Sequence, residues 1–291
     1  MLIADVDMDS IVYLNGDFVR LADAKVSVLD RGFIFGDGIY EVVPAYRGRP
    51  FRMAGHLARL ERSLAAIGLD NPHNTHGWEQ LVLDMLARSG RGADCMVYIQ
   101  VTRGAAKRDH AFPQQVPVTV FMMVTPFKRP DQKRVQGLRA ISLEDIRWLR
   151  CDIKSVSLLG NVLAQQAAVE AGVDEVIQFR AEQLSEAASS NVWIVKNKVL
   201  LAPMRNHLIL EGVRYGLIQE LAAQAGIEFQ ARNIKRAEVL QADEIMLSSA
   251  SKEILPVVQL DGVSVGSGVP GPIFKQLRQG YDQAILSLEQ V

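Results

Sequence analysis

The chain lacks the features that would tie it to a membrane, to nucleic acid or to an oxidising compartment. It has only two cysteines, Cys95 and Cys151. Each lies in an apolar, strand-like segment without metal-ligand spacing, so both read as buried free thiols, and neither a disulfide scaffold nor a metal centre is expected. No apolar run approaches the length of a membrane span. Lys and Arg (32) nearly balance Asp and Glu (33), for a net charge of -1. That balance removes any global electrostatic reason to bind nucleic acid or an anionic membrane and leaves room only for local anion sites. The segment 1–10 carries three Asp and no basic residue, unlike a secretory leader, so a cytoplasmic protein is expected.

What is present is an ordinary globular composition, 48% hydrophobic over 291 residues, enough for one large or two medium domains. Asn15-Gly16 between Ile11-Val12-Tyr13-Leu14 and Asp17-Phe18-Val19-Arg20 predicts a hairpin on a type I′ turn. Strands are expected over 38–46, 95–102 and 116–125, with helices over 56–67 (Leu57, Leu60, Leu64 and Ala65 forming its stripe) and 78–88. The polar, basic, proline-bearing stretch 126–137 reads as a linker. The expected organisation is therefore a small N-terminal domain over 1–125, the linker, and a larger C-terminal domain over 138–291. In that second half, strands are expected up to Asp145, over 175–179, 192–195, 199–202 and 244–247 and near Phe229. A hairpin should turn at Asp261-Gly262, and helices should follow Ser157, span 213–225 and start at Gly271. The fold class is α+β. Gly32, Gly36 and Gly38 do not form a dinucleotide fingerprint, because no strand and helix frame them, and close backbone packing explains them better. Trp148 and Trp193 are expected in the core, and His56 as a solvated or capping residue.

Chemistry enters at Lys154. It closes the run 143–155, with Ser157 placed to cap a helix whose Leu158, Leu159, Val162, Leu163 and Ala167 recur at helical spacing and which Gly172 ends. A single lysine at a loop is most often a surface lysine, and only partners elsewhere change that weighting. Thirty-two residues on, Leu184-Ser185-Glu186-Ala187-Ala188-Ser189-Ser190-Asn191-Val192 reads as a small-residue loop with one carboxylate, able to approach a planar ligand.

These two segments, together with Arg31-Gly32-Phe33-Ile34-Phe35-Gly36-Asp37-Gly38-Ile39-Tyr40-Glu41-Val42-Val43, resemble the class IV pyridoxal-phosphate aminotransferases, above all the D-amino-acid-specific members, over nearly the whole chain. The resemblance implies fold type IV, with pyridoxal 5'-phosphate between the two domains. It implies that Lys154 bonds to the cofactor aldehyde and shuttles the substrate proton, and that Glu186 pairs with the pyridine nitrogen. Arg59, in Gly55-His56-Leu57-Ala58-Arg59-Leu60, matches a phosphate-binding arginine. Leu210, Val213, Arg214, Ser189, Ser249 and Ala250 complete the cofactor-binding set, with the helix start at Gly212-Val213-Arg214 a natural phosphate site. Here the chain departs from the family, which usually has threonine where Arg214 and often where Ala250 stand. Arg214 either contributes a charged contact or swings away and leaves the backbone to bind.

The resemblance also implies that Arg108 and His110 reach into the neighbouring subunit of a homodimer and, with Tyr40, grip the substrate α-carboxylate, where an arginine fork binds two oxygens at once. Tyr98 lines the same pocket or belongs to the core. Pro44 stands where close relatives tend to have lysine. The expected activity is transfer of the amino group of a D-amino acid such as D-alanine to a 2-oxo acid such as 2-oxoglutarate. The alternatives are an L-branched-chain or (R)-amine transaminase, an aminodeoxychorismate lyase, or a catalytically silent cofactor-binding homologue.

Overall fold

The computed structural model describes residues 6–90 and 92–290, so the first five residues of the acidic N-terminal segment lie outside the described residues. The chain divides into two compact units, Met1–Lys128 with Ile153–Ser157, and Arg129–Asp152 with Leu158–Val291.

The first unit opens with the hairpin of β1 (Ile11–Leu14) and β2 (Asp17–Arg20), where Asn15 (φ 52) and Gly16 (φ 108) take the left-handed conformations that a type I′ turn demands. There follow α1 (Arg31–Phe35), β3 (Gly38–Tyr46), β4 (Arg49–Pro50), α2 (Met53–Ala66), α3 (Thr75–Arg88), β5 (Cys95–Thr102) and β6 (Thr119–Pro126). The strands form one antiparallel sheet in the order β2-β1-β6-β5-β3-β4. Leu57, Leu60 and Leu64 of α2 and Trp78, Val82 and Met85 of α3 share a core with Ile39, Val43, Val97, Ile99 and Met122 of the sheet. Each such leucine contributes roughly 1.5–3 kcal/mol by leaving water.

The second unit contains α4 (Asp131–Gln136), β7 (Leu138–Glu144), α5 (Leu159–Glu170), β8 (Glu175–Arg180), β9 (Gln183–Ala187), β10 (Asn191–Lys196), β11 (Val199–Ala202) and α6 (Val213–Gln224). It continues with β12 (Phe229–Ala231), α7 (Arg236–Leu240), β13 (Glu244–Ser249), β14 (Glu253–Leu260), β15 (Val263–Ser264) and α8 (Pro272–Leu286). Its mixed sheet runs β12-β11-β10-β13-β14-β7-β8-β9, with β15 on β14, and is parallel at β11/β12, β14/β7 and β7/β8. Both faces of β10 are buried, and Val192-Trp193-Ile194-Val195 reads as a continuous apolar run; β8, buried as fully up to Phe179, carries Glu175 and Gln178 among its apolar residues.

Several details differ from the sequence reading. The stretch 126–137 is no open linker. It begins with the end of β6 and contains α4, anchored where Arg129 and Arg134 meet the buried Glu253. Within 153–157, Ile39 bridges Ser155, so this short piece adds to the β3 edge of the first unit. Ser157 does not cap α5. Its hydroxyl donates to the Gly36 carbonyl instead (3.0 Å), and the helix starts two residues later without a side-chain cap. On α5 the small residues Ala164 and Ala168 face Val176 of β8, while Leu159, Val162 and Leu163 are exposed. Trp148, expected in the core, is 48% exposed, whereas Trp193 is buried. His56 is neither solvated nor a cap, being 1% exposed with Nδ1 2.9 Å from Glu41. Both cysteines are free and buried.

Candidate active site

In the first unit, Lys154 is fixed by its backbone on both sides. Its N-H donates to the Ser63 hydroxyl of α2 (3.3 Å), and its carbonyl accepts from Tyr40 of β3 (2.9 Å). The side chain is half-buried, with Nζ 4.0 Å from the centroid of the Tyr40 ring. Tyr40 in turn stacks on Tyr98 (5.8 Å, 27°), whose hydroxyl donates to Gln100 (2.6 Å). Burial, and then the neighbouring Tyr40, push the Tyr98 hydroxyl up to about 12. An amine on an anchored backbone beside an aromatic face is placed to react at one defined point.

Arg59 is engaged inside this unit. Its Nε and one terminal nitrogen donate to the two oxygens of Glu41 (2.8 and 2.6 Å), which also meets His56 and accepts from the Val42 backbone. Burial would raise the Glu41 carboxyl, but the Arg59 and His56 charges outweigh it and hold it well below the usual carboxylate range. Arg108 and His110 are exposed on the segment after β5. They meet at one ring: the Arg108 guanidinium and the His110 imidazole each lie 5.5 Å from Phe35 of α1.

In the second unit Glu186 stands on β9, not in a loop, because Ile177 of β8 pairs with Ala187 beside it. It is buried, and its Oε2 accepts from Arg147 (2.6 Å) while Oε1 accepts from Asn191 (3.0 Å). The same Asn191 amide donates to the Leu210 carbonyl (2.8 Å). Arg147 spends its other nitrogens on the buried Asp145 (2.9 and 2.8 Å). Burial, the largest influence, pushes the Glu186 carboxyl above its usual range, although Arg147 and the Leu210 backbone N-H pull it down. A buried carboxylate with so divided a counter-charge accepts a further cation or N-H donor.

Close by, α6 starts at Gly212, where a Cβ would fall 2.1 Å from Asn191 Oδ1, and it starts without a side-chain cap. Its first N-H groups, those of Val213 and Arg214, form the positive end of a twelve-residue helix. The Arg214 side chain itself is 1% exposed, with its guanidinium 5.8 Å from the Tyr281 ring of α8. Ser189 and Ser249 both turn to Lys252: the Ser189 hydroxyl accepts from Nζ (3.1 Å) and the Ser249 hydroxyl from the backbone N-H (3.1 Å). Ala250, in the turn after β13, offers no hydroxyl. Among the described residues no group of three or more His, Cys, Asp or Glu side chains is arranged to hold a metal ion.

Of the expected residues, Glu186, Leu210 and the start of α6 thus share Asn191, Tyr40 accompanies Lys154, and Arg108 accompanies His110. Arg59 sits on Glu41. Asn191, Arg147 and Asp145 were missed as site residues. Asn191 and Arg147 lie inside segments quoted for their resemblance, yet nothing in their local pattern marks them as partners of Glu186.

Comparison with known proteins gives the class to which the chain belongs. Residues 38–260 match the model of the amino-transferase class IV family. The chain belongs to that family. It is 42% identical over 277 residues to the D-alanine aminotransferase of Staphylococcus epidermidis, covering 95% of this chain and 98% of the relative. To the D-alanine aminotransferase of Staphylococcus aureus (strain COL) it is 40% identical over 280 residues, with 95% and 98% covered. Among solved structures, a branched-chain aminotransferase from Thermoproteus uzoniensis with norvaline superimposes with a TM-score of 0.88 at 26% identity, covering 96% of this chain and 95% of the other.

Proposed function

We propose that this protein is a pyridoxal-phosphate-dependent transaminase that moves the amino group of a D-amino acid such as D-alanine to a 2-oxo acid such as 2-oxoglutarate. The observation that carries this reading is the full-length likeness, at 42% identity, to a D-alanine aminotransferase. Side chains offer nucleophiles, bases and acids but no electrophilic carbonyl, so amine transfer calls for a cofactor aldehyde, and when bound it supplies that carbonyl together with a ring that accepts the electrons of the broken Cα-H bond.

The chain's own residues do the rest. Lys154 would be the residue that binds the cofactor aldehyde covalently, and its Nζ, once free, would act as the acid and base that moves the substrate proton. Tyr40, against that amine, limits the directions from which Nζ can reach. Glu186 would pair with the ring nitrogen and favour its protonated form, and because its Arg147 partner is shared with Asp145 the carboxylate has room for that second positive partner. Backbone N-H groups of Val213 and Arg214 would bind the phosphate; Arg59, held rigid by Glu41, is the side-chain cation that the family resemblance assigns to the same group. The inward turn of Arg214 favours backbone binding there over a charged contact. Ser189, Ser249, Ala250 and Leu210 would border the cofactor.

Arg108 and His110, with Tyr40, hold the substrate carboxylate, and a carboxylate fixed on one side presents the Cα-H of one enantiomer to Lys154. Because Arg108 and His110 are exposed on a single chain, the reading assigns them to the site of a second copy. Homodimerisation also accords with the apolar residues left bare, Phe33 at 77% and Val28 at 73% exposure among them. No described helix is long and apolar enough to cross a membrane; a cytoplasmic location is part of the proposal and suits two free thiols.

The experiment is a half-reaction titration of the cofactor-loaded protein with D- and L-alanine, followed by visible absorbance. D-alanine should bleach the cofactor band and L-alanine should not, and Lys154→Ala should respond to neither at turnover rates. Bleaching by L-alanine or L-leucine alone would replace this reading with the branched-chain one.

A further inference from the structure

The helical turn α1 carries no part of the proposed chemistry so far, yet it is tied down on several sides. Asp30 caps it by accepting from the Gly32 N-H (2.8 Å), and the same carboxylate accepts from the Thr102 and Thr119 hydroxyls (2.7 and 2.6 Å), tying the turn to β5 and β6. At Gly32 a Cβ would lie 2.3 Å from the Thr102 methyl, so the turn is pressed against the sheet. Gly36 ends it at φ 66, a left-handed position where glycine is strain-free.

Two side chains leave this turn four residues apart and meet the same segment. Arg31, 3% exposed, anchors its Nε on Asp37 (2.7 Å) and donates its terminal nitrogens to three consecutive backbone carbonyls, those of Asp109 (2.5 Å), His110 (3.4 Å) and Ala111 (3.3 Å). Asp37 is itself fixed by Arg103, which also donates to the carbonyls of Ile67 and Gly68. Phe35 supplies the other half. Its ring lies 4.8 Å from the Arg31 guanidinium and 5.5 Å from both the Arg108 guanidinium and the His110 ring. The backbone of the segment is thus held by a buried cation, while its two basic side chains share one aromatic surface. Exposed arginine and histidine side chains otherwise sample many rotamers, and each bond they make to a ligand is weakened by the order they must then acquire.

We infer that Arg31 and Phe35 are positioning residues that set specificity for α-carboxylate substrates, by pre-ordering Arg108 and His110 as a two-donor clamp. The inference rests on the reading of Arg108 and His110 as carboxylate ligands. Phe35 acts through their side chains and Arg31 through their backbone; neither touches substrate.

Hydroxylamine and aminooxyacetate test this on the cofactor-loaded enzyme. Both react through an O-NH2 nitrogen at the carbon that Lys154 would hold, forming the new C-N bond as the Lys154 amine is released, and only the second carries a carboxylate. In Phe35→Leu the rate constant for aminooxyacetate should fall about five- to tenfold while that for hydroxylamine stays within about twofold, in keeping with loss of a modest cation-π contact and ring packing. Phe35→Tyr, which retains the ring, should restore the wild-type ratio. In Arg31→Lys, hydrogen exchange at the amides of 108–111 should accelerate, and the reagent ratio should fall as in Phe35→Leu. If Phe35→Leu does not fold, Arg31→Lys carries the same comparison. Equal losses with both reagents, or an unchanged ratio in Phe35→Leu and Arg31→Lys while Arg108→Ala lowers it, would overturn the positioning role alone. An unchanged ratio in Arg108→Ala itself would bring down the carboxylate reading and this inference with it.

Discussion

Each unit buries a glutamate beside an arginine at 2.6 Å, and the two carboxylates are driven in opposite directions. Glu41 receives the guanidinium of Arg59 through both oxygens, together with His56, so burial is more than offset and the carboxylate is held ionised. Glu186 receives a single arm of Arg147, because that arginine is shared with Asp145, and its other partners, the Asn191 amide and the Leu210 N-H, are neutral. Burial then wins and the carboxyl is raised. Equal depth and equal ion-pair distance therefore do not define equal groups. What separates them is how much positive charge each has to itself. One is a structural element that stiffens Arg59, and the other has no cation to itself, as its proposed pairing with a ring nitrogen would call for.

Substitution should separate the two. Glu41→Gln leaves Arg59 with a neutral partner in the core and should lower unfolding stability by about 3–5 kcal/mol, read from denaturant midpoints. A loss under about 1 kcal/mol would place Glu41 in the same category as Glu186. Glu186→Gln should reduce transamination roughly a hundredfold or more, the scale of removing one fixed electrostatic partner of the reacting system, with the cofactor-free protein at neutral pH no less stable than wild type. The smallest effect is in the acid dependence. The folded-state pKa of Glu41 lies below its ordinary 4.5, so its stabilising contribution is complete above that value and is lost as pH falls through the range beneath it. Glu186 has its folded-state pKa above 4.5, so it opposes folding increasingly as pH rises past that point. Stability profiles should therefore flatten on the acid side in Glu41→Gln and above pH 4.5 in Glu186→Gln. Two profiles that change alike would contradict the distinction.

Much of the frame was legible in the sequence, where local rules decide. Asn15-Gly16 announces the first hairpin, the leucine stripe announces α2, and Asp261-Gly262 the turn before β15. Reading failed where a residue's role depends on a partner far along the chain. The apolar residues of α5 recur with helical period, but periodicity cannot say which face meets the sheet, and the small face of Ala164 and Ala168 does. The five-residue α1 is too short and too rich in glycine and aromatics to show a period. Lys154 and Glu186 stood out through resemblance, whereas Arg147, Asn191 and Arg31 act through contacts that only the folded chain creates. His56 and Trp148 exchanged the places their chemistry suggests, because a histidine can be buried against a carboxylate and an indole can remain at the surface.

The most direct test is the titration of the Glu186 carboxyl in the cofactor-free protein, isolated as the infrared difference between wild type and Glu186→Gln across the acid range, with Glu41→Gln as the reference. The account predicts that the Glu186 band titrates above 4.5 and the Glu41 band below it. A Glu186 carboxyl that ionises at or below 4.5, together with Glu41, would contradict it.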